Sequence, residues 1–387
     1  MAAVRTEPGR PGFLRSMNDR AALRLLIGQG PLTRVQLSVA TGLSGPTTSQ
    51  VINRLSQAGL VDEAGSAAGS RGPNATVYRA RTESVFGVAA HVLPDHIVAR
   101  VVDPSGQLHP IAELRLPAKG RFGPADLSSA MDAACASAGR ARDEVVAVCV
   151  GVPGAVSPDS DELRFVGPLR GWPRRDVRAQ FEEHLGVRVL IENDANLAAV
   201  AEAHARPAED DFALLWLGEG LAVVAVSDGR MRRGVSGGAG EIGYVPTSRT
   251  AIGIDPQAAD MQELAGAGAV TRLVRARRPA TRTFTAALSA IRNGDLRPAL
   301  LADLAPRVAE ILAPVIAVLD PGRVILGGPT GAACGPDGAA LVQAQLRRAT
   351  RWRTPVAATL VPDHPVLDGA ALTLAQHLTE QLLDRIG

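Results

Sequence analysis

Two periodicities divide the chain. From Ser16 to Glu63 apolar residues recur at helical spacing between short polar breaks, the pattern of small amphipathic helices. Leu23, Leu26 and Ile27 form one such face, which Gly28 to Pro31 interrupts. Thr33 is placed to cap a second short helix carrying Val35, Leu37 and Ala40. The turn "TGLS" follows, with Gly42 where a positive φ is needed. Ser44 caps a third helix through Val51, Ile52 and Leu55, and Gly59 closes it. Two β-prone pieces, Leu60–Glu63 and Thr76–Arg79, then flank a Gly/Ser/Pro loop carrying Arg71.

From Ser84 the pattern changes to apolar strands alternating with helical segments. "VFGVAAHV" and "HIVARVVD" read as paired strands, with Asp103-Pro104-Ser105-Gly106 as the turn. A helix near Ala125–Arg140, the strand "VVAVCVGVPGAV" and a helix near Arg175–Leu185 lead into "RVLIEND". "DFALLWLGEGLAVVAVSDGRMRRG" predicts two strands joined by a Gly-containing loop, with a further turn at Asp228-Gly229. The last third is mostly helical and is interrupted by "RVILGG". Such alternation implies α/β layers.

A chain of 387 residues exceeds one ordinary core, so two or three domains are expected. Composition is globular, 46% hydrophobic and 21% charged, with no apolar run near the roughly 20 residues of a membrane span. The opening "MAAVRTEPGRPGF" has no apolar signal core, so a cytoplasmic location is expected. Cys135, Cys149 and Cys334 are too far apart to pair as metal ligands, and Cys149 reads as core filler within "VVAVCVGV".

Charge sharpens the division. Residues 1–82 carry ten Arg and no Lys against four acidic groups, whereas the remainder has 31 basic and 35 acidic groups. A basic head on an acidic body points to nucleic acid at the N-terminus. Three helices with a Gly-containing turn between the second and third make a helix-turn-helix. With its hairpin the head resembles the winged helix-turn-helix of bacterial repressors. On that reading the third helix enters the major groove of double-stranded operator DNA. Pro46, Thr47, Thr48, Ser49 and Gln50 are its exposed N-terminal side, with Asn53 and Arg54 near backbone or bases. Thr33 joins the DNA-facing set, and Arg71 on the wing reaches a phosphate or the minor groove. The alternative is a winged helix used for protein contacts or dimerisation.

Five stretches in order, "GVPGAVSPDSDELRFVGPLRGW", "IENDANLAAVAE", "GRMRRGVSGGAGEIGYVP", "VILGG" and "LDGAALTLA", resemble the ROK family of repressors and sugar kinases. The likeness runs from about Phe86 to the end. It implies an α/β, actin-like, two-lobed sugar-kinase fold behind the winged head, with a ligand cleft between the lobes and assembly as a dimer or tetramer. The expected division is a DNA-binding domain over 1–82 and a kinase-like body over 83–387. Within the body, the small lobe takes about 83–195 plus the C-terminal helix, and the large lobe about 196–371.

Asp194 matches the family's catalytic carboxylate. Phosphoryl transfer, however, depends on positioning and charge neutralisation, so the phosphate loops decide. The first should supply an Asp followed by glycines and a Thr, but here it reads "GVAAHVLPDH". The second, usually Gly-Thr-Gly, is Gly218-Glu219-Gly220, whose carboxylate repels phosphate. No catalytic activity and no cofactor are therefore expected.

The resemblance also implies an effector site for a sugar or sugar phosphate. Asn193, Asp194 and Glu241 match the family's ligand residues, Tyr244 takes the place of its His, and Gln262, next to Glu263, that of a second Glu. The alternative reading of Asn193, Asp194 and Glu241 is that they are relics satisfying strand ends and helix starts. Gly237, Gly238 and Gly240 serve turns and close approach to ligand. Trp172 and Trp216 are the candidate sugar platforms, Trp216 reading rather as core. The family's zinc-binding cysteines are missing between Thr247 and Gln262, so no metal is expected, and packing or Pro256 must order that segment. The resulting expectation is a repressor that senses a sugar without phosphorylating it. The rivals are a ligand-independent DNA-binding scaffold and an active sugar kinase.

Overall fold

Caps and glycines set the helices of the head. In the computed structural model, which describes residues 11–67, 75–116, 123–157, 160–164, 171–207 and 211–386, α1 spans Pro11–Gln29 and ends before Gly30 at φ 81°. β1 (Leu32–Thr33) leads into α2 (Arg34–Thr41), where Thr33 and Gln36 form a reciprocal capping box. Gly42, at φ 70°, turns the chain into α3 (Gly45–Gln57), capped by Ser44. β2 (Val61–Ala67) and β3 (Ala75–Ala80) pair antiparallel as the wing, and β1 joins β3. Leu23, Leu26, Leu37, Val51, Ile52 and Leu55 fill the core between the helices. Of the apolar positions expected on α2, Leu37 is buried, while Val35 is 70% exposed and Ala40 is exposed.

The first sheet of the body contains β4 (Phe86–Val92), β5 (His96–Val102), β6 (Ala112–Arg115), β7 (Val145–Val152) and a later strand, Arg188–Asn193. A hairpin of β8 (Ala155–Val156) and β9 (Leu163–Arg164) precedes that strand, which is β10. The order is β10-β7-β4-β5-β6, with β4 antiparallel to β5 and parallel to β7. The turn joining β4 to β5 is Leu93–Asp95, whereas Asp103–Gly106 follows β5. Side chains alternate across this sheet. Val88, Ala90, Val148 and Val150 face α4 (Pro124–Ala138) and α5 (Val177–Leu185), while Ala89, Ala147 and Cys149 join the opposite cluster. Cys149 is fully buried there.

A helix, α6 (Asp194–Ala205), carries the chain to the second sheet, made of β11 (Phe212–Leu217), β12 (Leu221–Ser227), β13 (Arg230–Met231), β14 (Val324–Gly327) and β15 (Val356–Ala358). Its order, β13-β12-β11-β14-β15, repeats the directions of the first sheet: two antiparallel pairings on one side of the leading strand and two parallel on the other. β15 is too short and polar-flanked for its pattern to have announced it. Helical connections α7 (Arg249–Ile252), α8 (Met261–Ala265), α9 (Ala267–Arg277), α10 (Phe284–Asn293), α11 (Arg297–Leu319) and α12 (Gly328–Ala349) occupy the rest. α8, α11 and α12 cover one face of the second sheet.

The chain then returns to the first sheet as α13 (Pro365–Asp384). α6 and α13 pack so closely that a Cβ on Gly369 would lie 1.8 Å from the Leu197 carbonyl oxygen. A buried carboxylate secures this crossing: Glu202 of α6 accepts from the backbone N–H groups of Leu360 and Val361 at 3.0 and 3.2 Å and pairs with Arg206 at 3.2 Å. One apolar cluster runs continuously from the head through α13 and α6 to both sheets. Among the described residues no helix is long and apolar enough to cross a membrane.

Candidate functional site

The two sheets leave a cleft of about 540 Å³ between them. Its floor is the junction of β10 and α6. Asn193 ends the strand and caps the helix: its Oδ1 accepts from the N–H groups of Ala195 and Asn196 at 2.9 and 3.2 Å, and its Nδ2 donates to Gly154 O at 3.2 Å. Its amide is thus engaged with backbone, although the residue lines the cleft.

Asp194 differs. Its carboxylate accepts one backbone N–H, from Ala195 at 2.7 Å, and faces the cleft. Burial pushes its pKa up to about 7, the Ala195 amide pulls it back, and Glu241 raises it further. Burial raises Glu241 to about 7 as well. These two acids come from opposite lobes. Glu241 is delivered by Gly240, which sits at φ 84° and whose carbonyl accepts from Val223 N–H at 2.8 Å. A Cβ on Gly240 would lie 1.7 Å from Val223 O, so this glycine serves close approach to β12. Nearby, Arg233 reaches across the lobes to Glu192, with Nε 2.9 Å from Oε2.

The far end of the cleft is walled by the two hairpin turns. Val92 and Leu93 stand at the first and Gly218-Glu219-Gly220 at the second. Gln262 is fastened to this second turn. Its Oε1 accepts from Leu221 N–H at 2.9 Å and its Nε2 donates to Glu219 O at 2.5 Å. The amide expected to meet ligand therefore bonds the protein's own backbone, because α8 carries it under the hairpin. Tyr244 lines the cleft but is 65% exposed. Trp172 is buried against Phe181, with ring centroids 4.7 Å apart, and does not line the cleft. Trp216 is 6% exposed and does line it, packed over Gly218. It is core and wall at once. His91, His96 and His364 also line the cleft and were not foreseen. They come from three separate stretches that only the fold brings together. Burial, then His96 and His364, lower His91 to about 3, so it stays neutral.

Between Thr247 and Gln262 the donors do not fit a tetrahedral zinc site, which needs thiolate or imidazole ligands this segment lacks. Side chains of α11 fasten the segment by hydrogen bonds. Arg307 Nη1 lies 2.9 Å from both Asp255 Oδ2 and Leu264 O. Glu310 accepts from the hydroxyls of Ser248 and Thr250, the latter at 2.8 Å. Packing contributes as expected, since Ala251, Ala258 and Met261 are buried in the same core cluster as α11.

In the head, Pro46, Gln50 and Asn53 are exposed along α3, and Ser49 is half-buried. Thr48 is not on the exposed side: it is 2% exposed and donates to Ser44 O at 3.1 Å, on the face of α3 turned into the head. Arg54 is turned inward too. It forms a bidentate pair with the buried Asp19 of α1, at 2.8 and 2.5 Å, and so locks the helices together. The hydroxyls of Thr33 and Thr47 engage their own cap partners, Gln36 and Ser44, at 2.9 and 2.8 Å. Arg71 lies outside the described residues. The head meets the body through α1 and α13, where Arg20 pairs with Asp384 and Arg24 with Glu380, each at 2.9 Å. α13 starts at the cleft, since Pro365 and Val366 line it.

A winged helix-turn-helix joined to a two-lobed sugar-kinase-like body defines the class of this molecule. The chain belongs to the ROK family, which it matches over residues 95–376, and residues 17–72 match the MarR family. It is 24% identical over 236 residues to the xylose repressor of Bacillus subtilis, the match covering 60% of this chain and 61% of that protein. The structure of a ROK family transcriptional regulator, a homologue of the E. coli MLC protein, covers 96% of this chain and is itself 99% covered, with a TM-score of 0.69 at 18% identity. A ROK hexokinase from Thermus thermophilus is similar to the body, with a TM-score of 0.56 at 25% identity over 74% of this chain and 97% of that one. Relatives thus include both repressors and kinases, and the chain spans about 60% of the length of the curated repressor it matches.

Proposed function

We propose that this chain is a DNA-binding transcriptional repressor whose kinase-like body senses a hydroxylated ligand and transfers no phosphoryl group. The observation that carries this reading is the span of α13: its first residues line the cleft, and Glu380 and Asp384 near its end pair with Arg24 and Arg20 of the winged head. A ligand that shifts the lobes moves the helix on which the head rests. The likeness to a xylose repressor supports a sugar as the effector class.

Asp194 and Glu241 are the ligand-facing acids, and Asn193 acts through the helix it caps. Gln50 and Asn53, with Pro46 and Ser49 beside them, read the major groove. One short helix gives too little specificity alone, so two heads in a homodimer engage two half-sites. The kinase function is lost at the turns, where Leu93 and Glu219 stand instead of hydroxyls and amides that would receive phosphate.

The test is binding to fluorescein-labelled duplex DNA by anisotropy over a salt series, beside an ATP-consumption assay with hexoses. Salt-sensitive binding that Gln50→Ala and Asn53→Ala weaken, with no sugar-dependent ATP use, is expected. Failure to bind duplex at low salt, or turnover of ATP with a sugar, would overturn the reading.

A further inference from the structure

We infer that the ligand of this cleft is an uncharged glycoside, a sugar bearing an apolar aglycone, rather than a free sugar or a sugar phosphate. The inference rests on the reading of the cleft as a sensor and names what it senses. The space is larger than one pyranose requires, and its lining combines two chemistries. Asp194 and Glu241 at the floor offer carboxylate oxygens to hydroxyl donors. Leu93, Trp216, Pro329, Ala332, Pro365 and Val366 give the lining an apolar share. Apart from the Trp216 indole N–H, these side chains offer a phosphate no hydrogen-bond donor, and burial against them would desolvate it.

Charge points the same way. Glu219 and Asp260 line the cleft along with the partly protonated Asp194 and Glu241, so whichever of these carboxyl groups is ionised repels an anion that enters. Of the basic groups in the lining, His91 is uncharged, the His96 ring is 2.7 Å from Asp95, and His364 and Arg292 are solvent-exposed at the rim. An aromatic or alkyl aglycone, by contrast, would find Trp216 with Pro329 and Pro365. Trp216 is 6% exposed and packs directly over Gly218, where a Cβ would lie 2.7 Å from its Nε1.

The test is calorimetry on the full chain with glucose, galactose and mannose, each supplied as the free sugar, as its α- and β-phenyl glycosides and as its 6-phosphate. At least one phenyl glycoside should bind roughly 10- to 100-fold tighter than its parent sugar, the gain from burying one aromatic ring. Leu93→Asn should erase most of that gain and Leu93→Met should keep it, with cooperative melting of both variants as the check on folding. Phenyl glycosides no tighter than their parents, a 6-phosphate as the tightest ligand, or no binding across the panel would each overturn the inference. Duplex-DNA anisotropy on the same samples separates the failures. A free sugar or phosphate that binds leaves the sensor reading standing, retained DNA binding with an empty panel leaves the regulator standing, and lost DNA binding strikes the regulator itself.

Discussion

The floor of the cleft and its hairpin end are both built from polar residues, yet those residues are treated oppositely. At the hairpin end Gln262 is saturated, both ends of its amide being bonded to the β11–β12 turn. At the floor Asp194 and Glu241 are desolvated, close enough to repel each other, and compensated by little more than one backbone N–H. A satisfied amide stabilises the fold, whereas two under-compensated acids facing space cost stability and leave bonding capacity for a ligand. Matching a family's motif does not distinguish these cases. Counting hydrogen-bond partners does.

The most damaging way to break this contrast is Gly240→Ala. A Cβ there meets Val223 O, and the left-handed backbone disfavours any side chain, so a loss of about 3 kcal/mol in urea denaturation is expected. Glu241 would move away, and by NMR titration the Asp194 pKa should fall as that repulsion is relieved. Gln262→Ala removes two bonds to the turn and should cost about 2 kcal/mol by the same measurement. Neutral stability would mean the amide is free for ligand after all. Asn193→Ala should cost about 1 kcal/mol, the usual worth of a helix cap.

Neutralising the acids should act in the opposite direction. Because both pKa values are raised on folding, the folded chain binds more protons than the unfolded one, and stability falls as pH rises from about 4 to about 7. The double variant Asp194→Asn, Glu241→Gln escapes that loss. It should be more stable than the parent at pH 8 by roughly 1 kcal/mol, a gain that shrinks toward pH 4 while ligand binding is weakened at every pH. A destabilised variant at pH 8 would mark the acids as structural. The smallest effect is expected at the head: Arg20→Ala with Arg24→Ala removes exposed pairs worth less than about 1 kcal/mol and should scarcely alter melting. Its readout is the ligand-induced change in DNA affinity, which should diminish while ligand affinity holds.

The head was legible in detail because its determinants are local. Thr33, Gly42, Ser44 and Gly59 each act within a few residues, and the structure has each in the capping or turning role its type suggests. The burial of Thr48 and the pairing of Arg54 were not legible for the complementary reason: both depend on how α3 packs within the head, and Asp19 is 35 residues from Arg54. The body's strands were legible as apolar runs, although the turn between the first two was placed at Asp103–Gly106 instead of Leu93–Asp95. The replacement for the zinc ligands was not legible at all, since Arg307 and Glu310 act from α11, far along the chain.

Sequence alone determined the helix caps, the winged head, the alternating layers, the carboxylate in the turn Gly218-Glu219-Gly220 and the presence of Asp194 and Glu241. These are matters of residue type and short-range spacing, where propensity and charge act directly. Tertiary structure decided which polar groups are spent and which are available, that α13 links cleft to head, and that the cleft lining has an apolar share. Each of those depends on solvent exclusion and on partners distant in sequence, and burial is a property of the folded surface rather than of any segment.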